Sequence, residues 1–373
     1  QKWGMLQRKG FLSNFLFYFY FYALVYFVTQ YIELWNLRNK QDEALKNLSY
    51  TLLSTVCYYK AGTLIIWKKR WIKIIDYVLD VETSQKSNTD RDVESLIHQY
   101  KKYSRIVTYL YWGLVGNTVV IVMLAPILAG FLSSQNRKRI LSGADPYPEI
   151  MSSWVPFDKT GGAGYIASLI IQGSVYLWGG GFVAFYDSTA FVVMTFFAGQ
   201  FKILKINCQK IFNDVKDLNN TSVQNRIKAC YKQHDNLIKH CEILNELMSP
   251  VQFLYVIVCS IMFCASAIRV TSSEGSGLMQ KLWLAEYLLA LISQLFLYCW
   301  HSSEVYCCSH TLEYGVFSSA WWAADKNLRR NIILLHGKLR KSIYFSAGPF
   351  TILEISTFVA IVKGSYSYYT LLK

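Results

Sequence analysis

The sequence predicts an all-α polytopic membrane protein with seven transmembrane helices, N-terminus cytosolic and C-terminus extracellular, with helices extending into a cytosolic layer. Three observations predict it. The composition is 53% hydrophobic and 16% aromatic with only 17% charged residues, against about 25% charged in soluble domains. A hydrocarbon core of roughly 30 Å takes about 20 apolar residues of helix, and seven runs reach that length, at 11–32, 45–67, 106–132, 165–203, 250–268, 282–300 and 343–372. Basic residues also gather in alternate connecting loops.

The first run includes FLFYFYFYALVYFV and carries no charge up to Ile32. It is too long for the apolar part of a signal peptide and no small-residue cleavage site follows, so it is expected to stay as a span. The second contains Lys60, placed in the inner half where its stem can reach the headgroups. The fourth is longer than a bilayer requires, so its far end projects as a helix into water or a protein layer. Asp187 and Glu286 are expected near the interfaces. A weaker apolar stretch at 312–324 precedes the last run.

Lys and Arg set the orientation. The N-terminal tail and the stretches 68–105, 202–239 and 326–341 hold 3, 9, 8 and 6 basic residues, whereas 36–46, 133–164, 269–281 and the C-terminus hold 3, 4, 2 and 1. By the positive-inside rule the N-terminus is cytosolic. The net charge of +14 lies largely in those loops and points to anionic membrane lipid, not nucleic acid. The nine cysteines fall in spans or on the cytosolic side, which leaves no extracellular disulfide to expect. Asn47-Leu-Ser fits a glycosylation acceptor at the outer mouth of the second span.

In 226–248, Ile227, Tyr231, Ile238, Cys241, Leu244 and Met248 recur at helical spacing, one face of a helix leading into the fifth span. That face must pack, within the chain or between subunits. No Walker, GxGxxG, HExxH, CxxC or GxSxG pattern is present, so no enzymatic activity and no cofactor is expected. Cys230 with His234, near His240 and Cys241, and Cys307-Cys308-Ser309-His310 lack tetrahedral ligand spacing and read as packing rather than as metal sites.

Glu354 and Lys363 sit nine residues apart in the last run, and either a water-filled path or a buried ion pair accommodates them. Ser365, Tyr368 and Leu372 follow at i, i+3 and i+7 in a hydroxyl-rich end. Such a stripe lines a pore or forms an interfacial aromatic belt.

The C-terminal FVAIVKGSYSYYTLL, the QLFLYCWHSSEV of the sixth span, the LEYGVFSSAWW after it and the outer-loop SSWVPFD together resemble insect odorant receptors across essentially the whole chain. The resemblance implies an odour-gated, nonselective cation channel, tetrameric around a central pore, in the plasma membrane of olfactory sensory neurons. It implies a seventh helix split into a cytosolic anchor and a pore-lining half, dividing the chain into 1–311, 312–345 and 346–373. Ser365-Tyr366 aligns with the Thr-Tyr pair of the family's co-receptor, which places the gate at Tyr368, with Leu371 and Leu372 after it and Glu354 at the inner mouth. The compact loop between the fourth and fifth spans and the divergent terminal motif imply a tuning subunit that partners the co-receptor. The implied odorant pocket, in the outer half of the second, third, fourth and sixth spans, falls on Tyr50, Ser54, Cys57, Tyr58, Asn117, Ile121, Met123, Leu169, Gln172, Tyr176, Tyr287 and Leu291. Rings with a few polar groups suit a small, mostly apolar volatile, aromatic ones included. The alternatives are a G-protein-coupled chemoreceptor, which needs an outside N-terminus, a gustatory-type homomeric channel, and a secondary transporter, which needs internal repeats.

Overall fold

The structure is a computed structural model that describes residues 11–85, 90–131, 140, 142, 147–159, 162–212, 220–272 and 278–372. Ten α-helices occur among them: α1 Phe11–Asn36, α2 Gln41–Ile66, α3 Lys68–Gln85, α4 Arg91–Phe131, α5 Gly162–Gln209, α6 Asn220–Ser272, α7 Leu278–His310, α8 Glu313–Phe317, α9 Lys326–Leu339 and α10 Ile355–Leu372. Each of the seven apolar runs lies in α1, α2, α4, α5, α6, α7 or α10, apart from their ends. Among the described residues three helices, within α4, α5 and α6, are by length and composition long and apolar enough to cross a membrane.

Helices α4, α5 and α6 hold 41, 48 and 53 residues. At 1.5 Å per residue they are about 60–80 Å long, roughly twice a hydrocarbon core. The surplus forms a second packed layer. Helix α5 is its axis, since Tyr186, Ala190, Phe191, Met194, Phe197, Phe201 and Leu204 are all buried, and an α-helix that is apolar on every side belongs in a core. Around it, α3 buries Trp71, Ile74, Ile75 and Val78, the i, i+3, i+4, i+7 stripe of an amphipathic helix. The first half of α6 packs on α3 and α9, burying Ile227, Ile238, Cys241, Leu244 and Met248 while Tyr231 stays exposed. Helix α9 starts at Asp325, whose carboxylate accepts the Lys326 N–H, and buries Leu328, Ile332, Leu335 and Leu339.

The last run departs from its expected start. Instead of helix from residue 343 or 346, the chain forms a two-stranded antiparallel hairpin, β1 Ser346–Ala347 with β2 Thr351–Ile352, and α10 begins only at Ile355. Gly348 takes φ of 68°, Pro349 has no N–H to give a helix, and α6 competes for the backbone. The Gly348 N–H donates to the Ser249 carbonyl at 3.1 Å and the Ser346 N–H to the Asn245 side-chain oxygen at 2.8 Å. A Cβ at Gly348 would stand 2.6 Å from the Phe253 ring, so close approach and positive φ both require glycine there.

Candidate ligand-binding site

A cavity of about 150 Å³ lies among α1, α2, α4, α5 and α7. Helix α4 turns Tyr111, Leu114, Val115, Thr118 and Val119 toward it, one continuous face at helical spacing. Helix α1 supplies Ala23, Tyr26, Phe27 and Gln30 at i, i+3, i+4 and i+7. Gly179 and Gly180 of α5 open the opposite wall. A Cβ there would lie 3.1 Å from Cys57 Sγ and 2.6 Å from Val119 Cγ2 respectively.

Six of the twelve expected pocket residues line this cavity: Ser54, Cys57, Tyr58, Tyr176, Tyr287 and Leu291. The other six lie outside its wall. Asn117 is exposed on the far face of α4, and Tyr50, Ile121, Met123 and Leu169 are half-buried elsewhere. Gln172 is buried but pins the loop 147–159, its oxygen accepting from the Ile150 N–H at 3.0 Å and the Met151 N–H at 3.3 Å. The α1 residues were missed, although Gln30 is a polar amide in an aromatic and aliphatic run, which is a signal of a polar cavity.

Met151 of the 147–159 loop reaches the cavity, and the loop is tied down at several points. The Trp154 N–H donates to the Thr29 carbonyl, and the Lys159 ammonium bridges Glu33 at 3.3 Å and Glu149 at 2.9 Å. Burial alone would lower the Lys159 pKa; the hydrogen bonds and charge of Glu149 and Glu33 outweigh it and hold the group above its ordinary value. Asn47 is part of the same fastening. Its side chain is 1% exposed, its amide nitrogen donates to the Ser152 carbonyl at 3.1 Å and its oxygen accepts from Thr51 at 3.0 Å. The nitrogen that would carry a glycan is therefore inside the fold, and the acceptor pattern there serves packing.

Beneath the cavity lies a buried charge cluster that corrects two expectations. Lys60 does not reach toward headgroups and Asp187 is not at an interface. Their side chains are 1% and 0% exposed and form an ion pair. Tyr111, Gln294 and Tyr298 also donate to the Asp187 carboxylate. The Lys60 ammonium stands 5.7, 5.1 and 5.7 Å from the ring centres of Tyr186, Tyr255 and Tyr298, within cation–π reach. A lysine pairs inward when a carboxylate with room for its donors is available, because an isolated charge in an apolar core is far costlier than a paired one. Tyr111 and Gln294 belong to both the cavity wall and the cluster, so the wall is held in place by the Asp187 carboxylate. At the rim Thr118 donates to Glu286 at 2.6 Å.

At the other end, Glu354 is half-buried just before α10 and accepts from the Ser356 hydroxyl at 3.2 Å. Lys363 is exposed, and among the described residues no ion pair joins it to Glu354. Ser365 is buried and its hydroxyl returns to the Ile361 carbonyl. Tyr368, Leu371 and Leu372 lie outside the residues whose side chains the structure describes.

Several known proteins are similar to this chain in fold or sequence. The solved olfactory receptor OR5 of Machilis hrabei, in complex with eugenol, superposes on the whole chain with a TM-score of 0.84 at 16% identity, covering 91% of that receptor. Odorant receptor Or2 of Anopheles gambiae is 26% identical over 39% of this chain and 38% of its own length. Odorant receptor 10 of Aedes albopictus is 24% identical over 50% of this chain and 49% of its own; both matches thus span half or less of those relatives. Odorant receptor 33a of Drosophila melanogaster is 22% identical over 90% of this chain and 84% of its own length. The family model described as 7tm Odorant receptor matches residues 40–366, and this chain belongs to that family.

Proposed function

We propose that the chain is the odorant-binding tuning subunit of a heteromeric, tetrameric ligand-gated nonselective cation channel, with its N-terminus in the cytosol and an odorant co-receptor as partner. One observation carries the ligand site: a cavity of about 150 Å³, walled by rings and aliphatic groups, with no charged residue among the described residues that line it. A largely apolar cavity of that size takes a molecule about as large as benzene. The Machilis receptor's complex with eugenol supports a small volatile as the ligand.

Gating follows from the connection below the cavity. A ligand against Tyr111 and Gln294 presses on groups that donate to Asp187. It opens the channel only to the extent that it prefers the open arrangement of the bundle over the closed one. The last helix then moves away from the pore axis, with Glu354 concentrating cations at the inner mouth and Ser365, Tyr368, Leu371 and Leu372 along the conduction path.

The test is two-electrode recording from oocytes expressing this chain with and without an insect co-receptor, challenged with a volatile panel while G-protein signalling is blocked. A current that needs the co-receptor and survives the block is the expected result. A response abolished by the block overturns the channel reading in favour of a metabotropic receptor, and a current from this chain alone overturns the obligate heteromer.

A further inference from the structure

Resting on the reading of the cavity as the ligand site, its unsatisfied polar groups define the class of ligand. Gln30 is 0% exposed and lines the cavity, yet among the described residues neither its amide nitrogen nor its amide oxygen has a hydrogen-bond partner. Tyr26 lies one turn earlier on the same face of α1. Its hydroxyl is buried beside Gln30 and Ser153, which interact with it electrostatically, but among the described residues none stands at full hydrogen-bond geometry to it. Buried amides and hydroxyls are almost always paired, because each unpaired one carries its full desolvation penalty.

Elsewhere on the wall the Trp178 indole N–H also lacks a partner among the described residues, adding a donor but no acceptor. Tyr111 and the Gln294 amide spend their donors on Asp187, and Thr118 spends its own on Glu286. The unmet hydrogen-bonding capacity on α1 therefore sits at Gln30 and Tyr26. Among the described residues no ionised side chain lines the cavity, so a charged ligand would arrive without a counter-charge in a desolvated space.

We propose that the cavity selects a neutral one-ring volatile bearing a hydroxyl or carbonyl oxygen, which Gln30 and Tyr26 bind while the ring occupies the apolar remainder. Gln30 is then a specificity-determining residue. A hydrocarbon of the same shape fills the space but leaves Gln30 and Tyr26 unpaired, and sites built around a hydrogen bond discriminate strongly against analogues that cannot make it.

The probes are 4-methylphenol and toluene, matched in ring and methyl group, titrated against the full chain in lipid nanodiscs with thermal unfolding as readout. The expected apparent affinity for 4-methylphenol is at least tenfold above that for toluene, and Gln30→Leu brings the two within threefold by weakening only the phenol. Gln30→Met, closer in shape, repeats the measurement if the leucine variant unfolds. Gly180→Leu, which fills the cavity, is expected to abolish both shifts. If both probes bind and Gly180→Leu removes them but the phenol holds no advantage, Gln30 and Tyr26 satisfy one another and this proposal falls while the cavity reading stands. If neither probe binds, or Gly180→Leu changes nothing, the cavity reading falls and takes the proposal with it.

Discussion

The Lys60 ammonium lies 2.7 Å from Oδ1 and 3.0 Å from Oδ2 of Asp187, a residue 127 positions later on another helix. Removing one partner leaves a buried charge uncompensated, at a cost of about 3–5 kcal/mol. Lys60→Met and Asp187→Leu are each expected to lose most folded protein, measured by thermal unfolding and surface labelling. The double variant should recover much of the loss, since an apolar pair carries no unpaired charge. Single variants that behave like the parent would show the pair to be dispensable.

Filling the cavity should blunt ligand sensitivity more than expression. Gly180→Val introduces a Cβ where Val119 Cγ2 stands 2.6 Å away. Overpacking of this kind costs about 1–3 kcal/mol of fold stability, and the space it takes from the ligand should raise the concentration giving a half-maximal response by about tenfold, equivalent to about 1.4 kcal/mol of binding. Dose–response curves in the co-receptor background measure it, and an unshifted curve would move the ligand elsewhere.

Asn47 is expected to carry no glycan. Treatment with an N-glycosidase should leave electrophoretic mobility unchanged, whereas Asn47→Ala, which strips the partners of Ser152 and Thr51, should destabilise the fold by about 1–3 kcal/mol. A mobility shift on deglycosylation that disappears in the variant would contradict this.

Acid should loosen the inner layer through His234, in the part of α6 that precedes the apolar stretch 250–268. Burial pushes its pKa down from 6.5 to about 4; Asp235 opposes the shift while Lys341 and Lys338 add to it. Because the folded value is the lower one, the unfolded chain binds more protons between pH 6.5 and 4. Stability therefore falls as pH drops through that window, by roughly 3 kcal/mol at most. Unfolding temperatures from pH 7.5 to 4.5, compared with those of His234→Gln, test it: the variant should lose part of the acid sensitivity.

Glu354→Gln should reduce single-channel conductance in assembled channels at low ionic strength. The difference should shrink as salt rises, because a Debye length of about 10 Å at 0.1 M shortens to about 3 Å at 1 M. Equal conductance and cation preference at all salt concentrations would remove Glu354 from the permeation path.

The spans were legible because an uncharged run such as that from Phe11 to Ile32 has a single physical use. Long-range pairing was not. Nothing local to Lys60 announces Asp187, so a lysine near a helix end reads as one that reaches for headgroups. Helix rotation was the other gap. On α4 the stripe through Val115, Thr118 and Val119 faces the cavity while Asn117 and Ile121, only a residue or two away, do not, and a hydrophobic helix offers little polar contrast from which to read its facing. The hairpin had a visible signal in Gly348-Pro349, but an apolar run that continued through it outweighed that signal.

The hairpin's hydrogen bonds to Asn245 and Ser249 tie the root of α10 to α6, while the Ile355 N–H donates to the Ser303 hydroxyl of α7 at 3.2 Å and the Phe358 ring meets Phe296 edge-on. Helix α10 as a whole, 18 residues and about 27 Å long, extends from that root with Phe358 and Ile361 packed against the core. A rotation of about 10° there would displace the far end by roughly 5 Å, close to one helical turn of rise, while the residues next to the hairpin barely move. Under the proposed gating, a small swing of α10 on the α6 and α7 faces it packs against, amplified by its length, would suffice to open the far end.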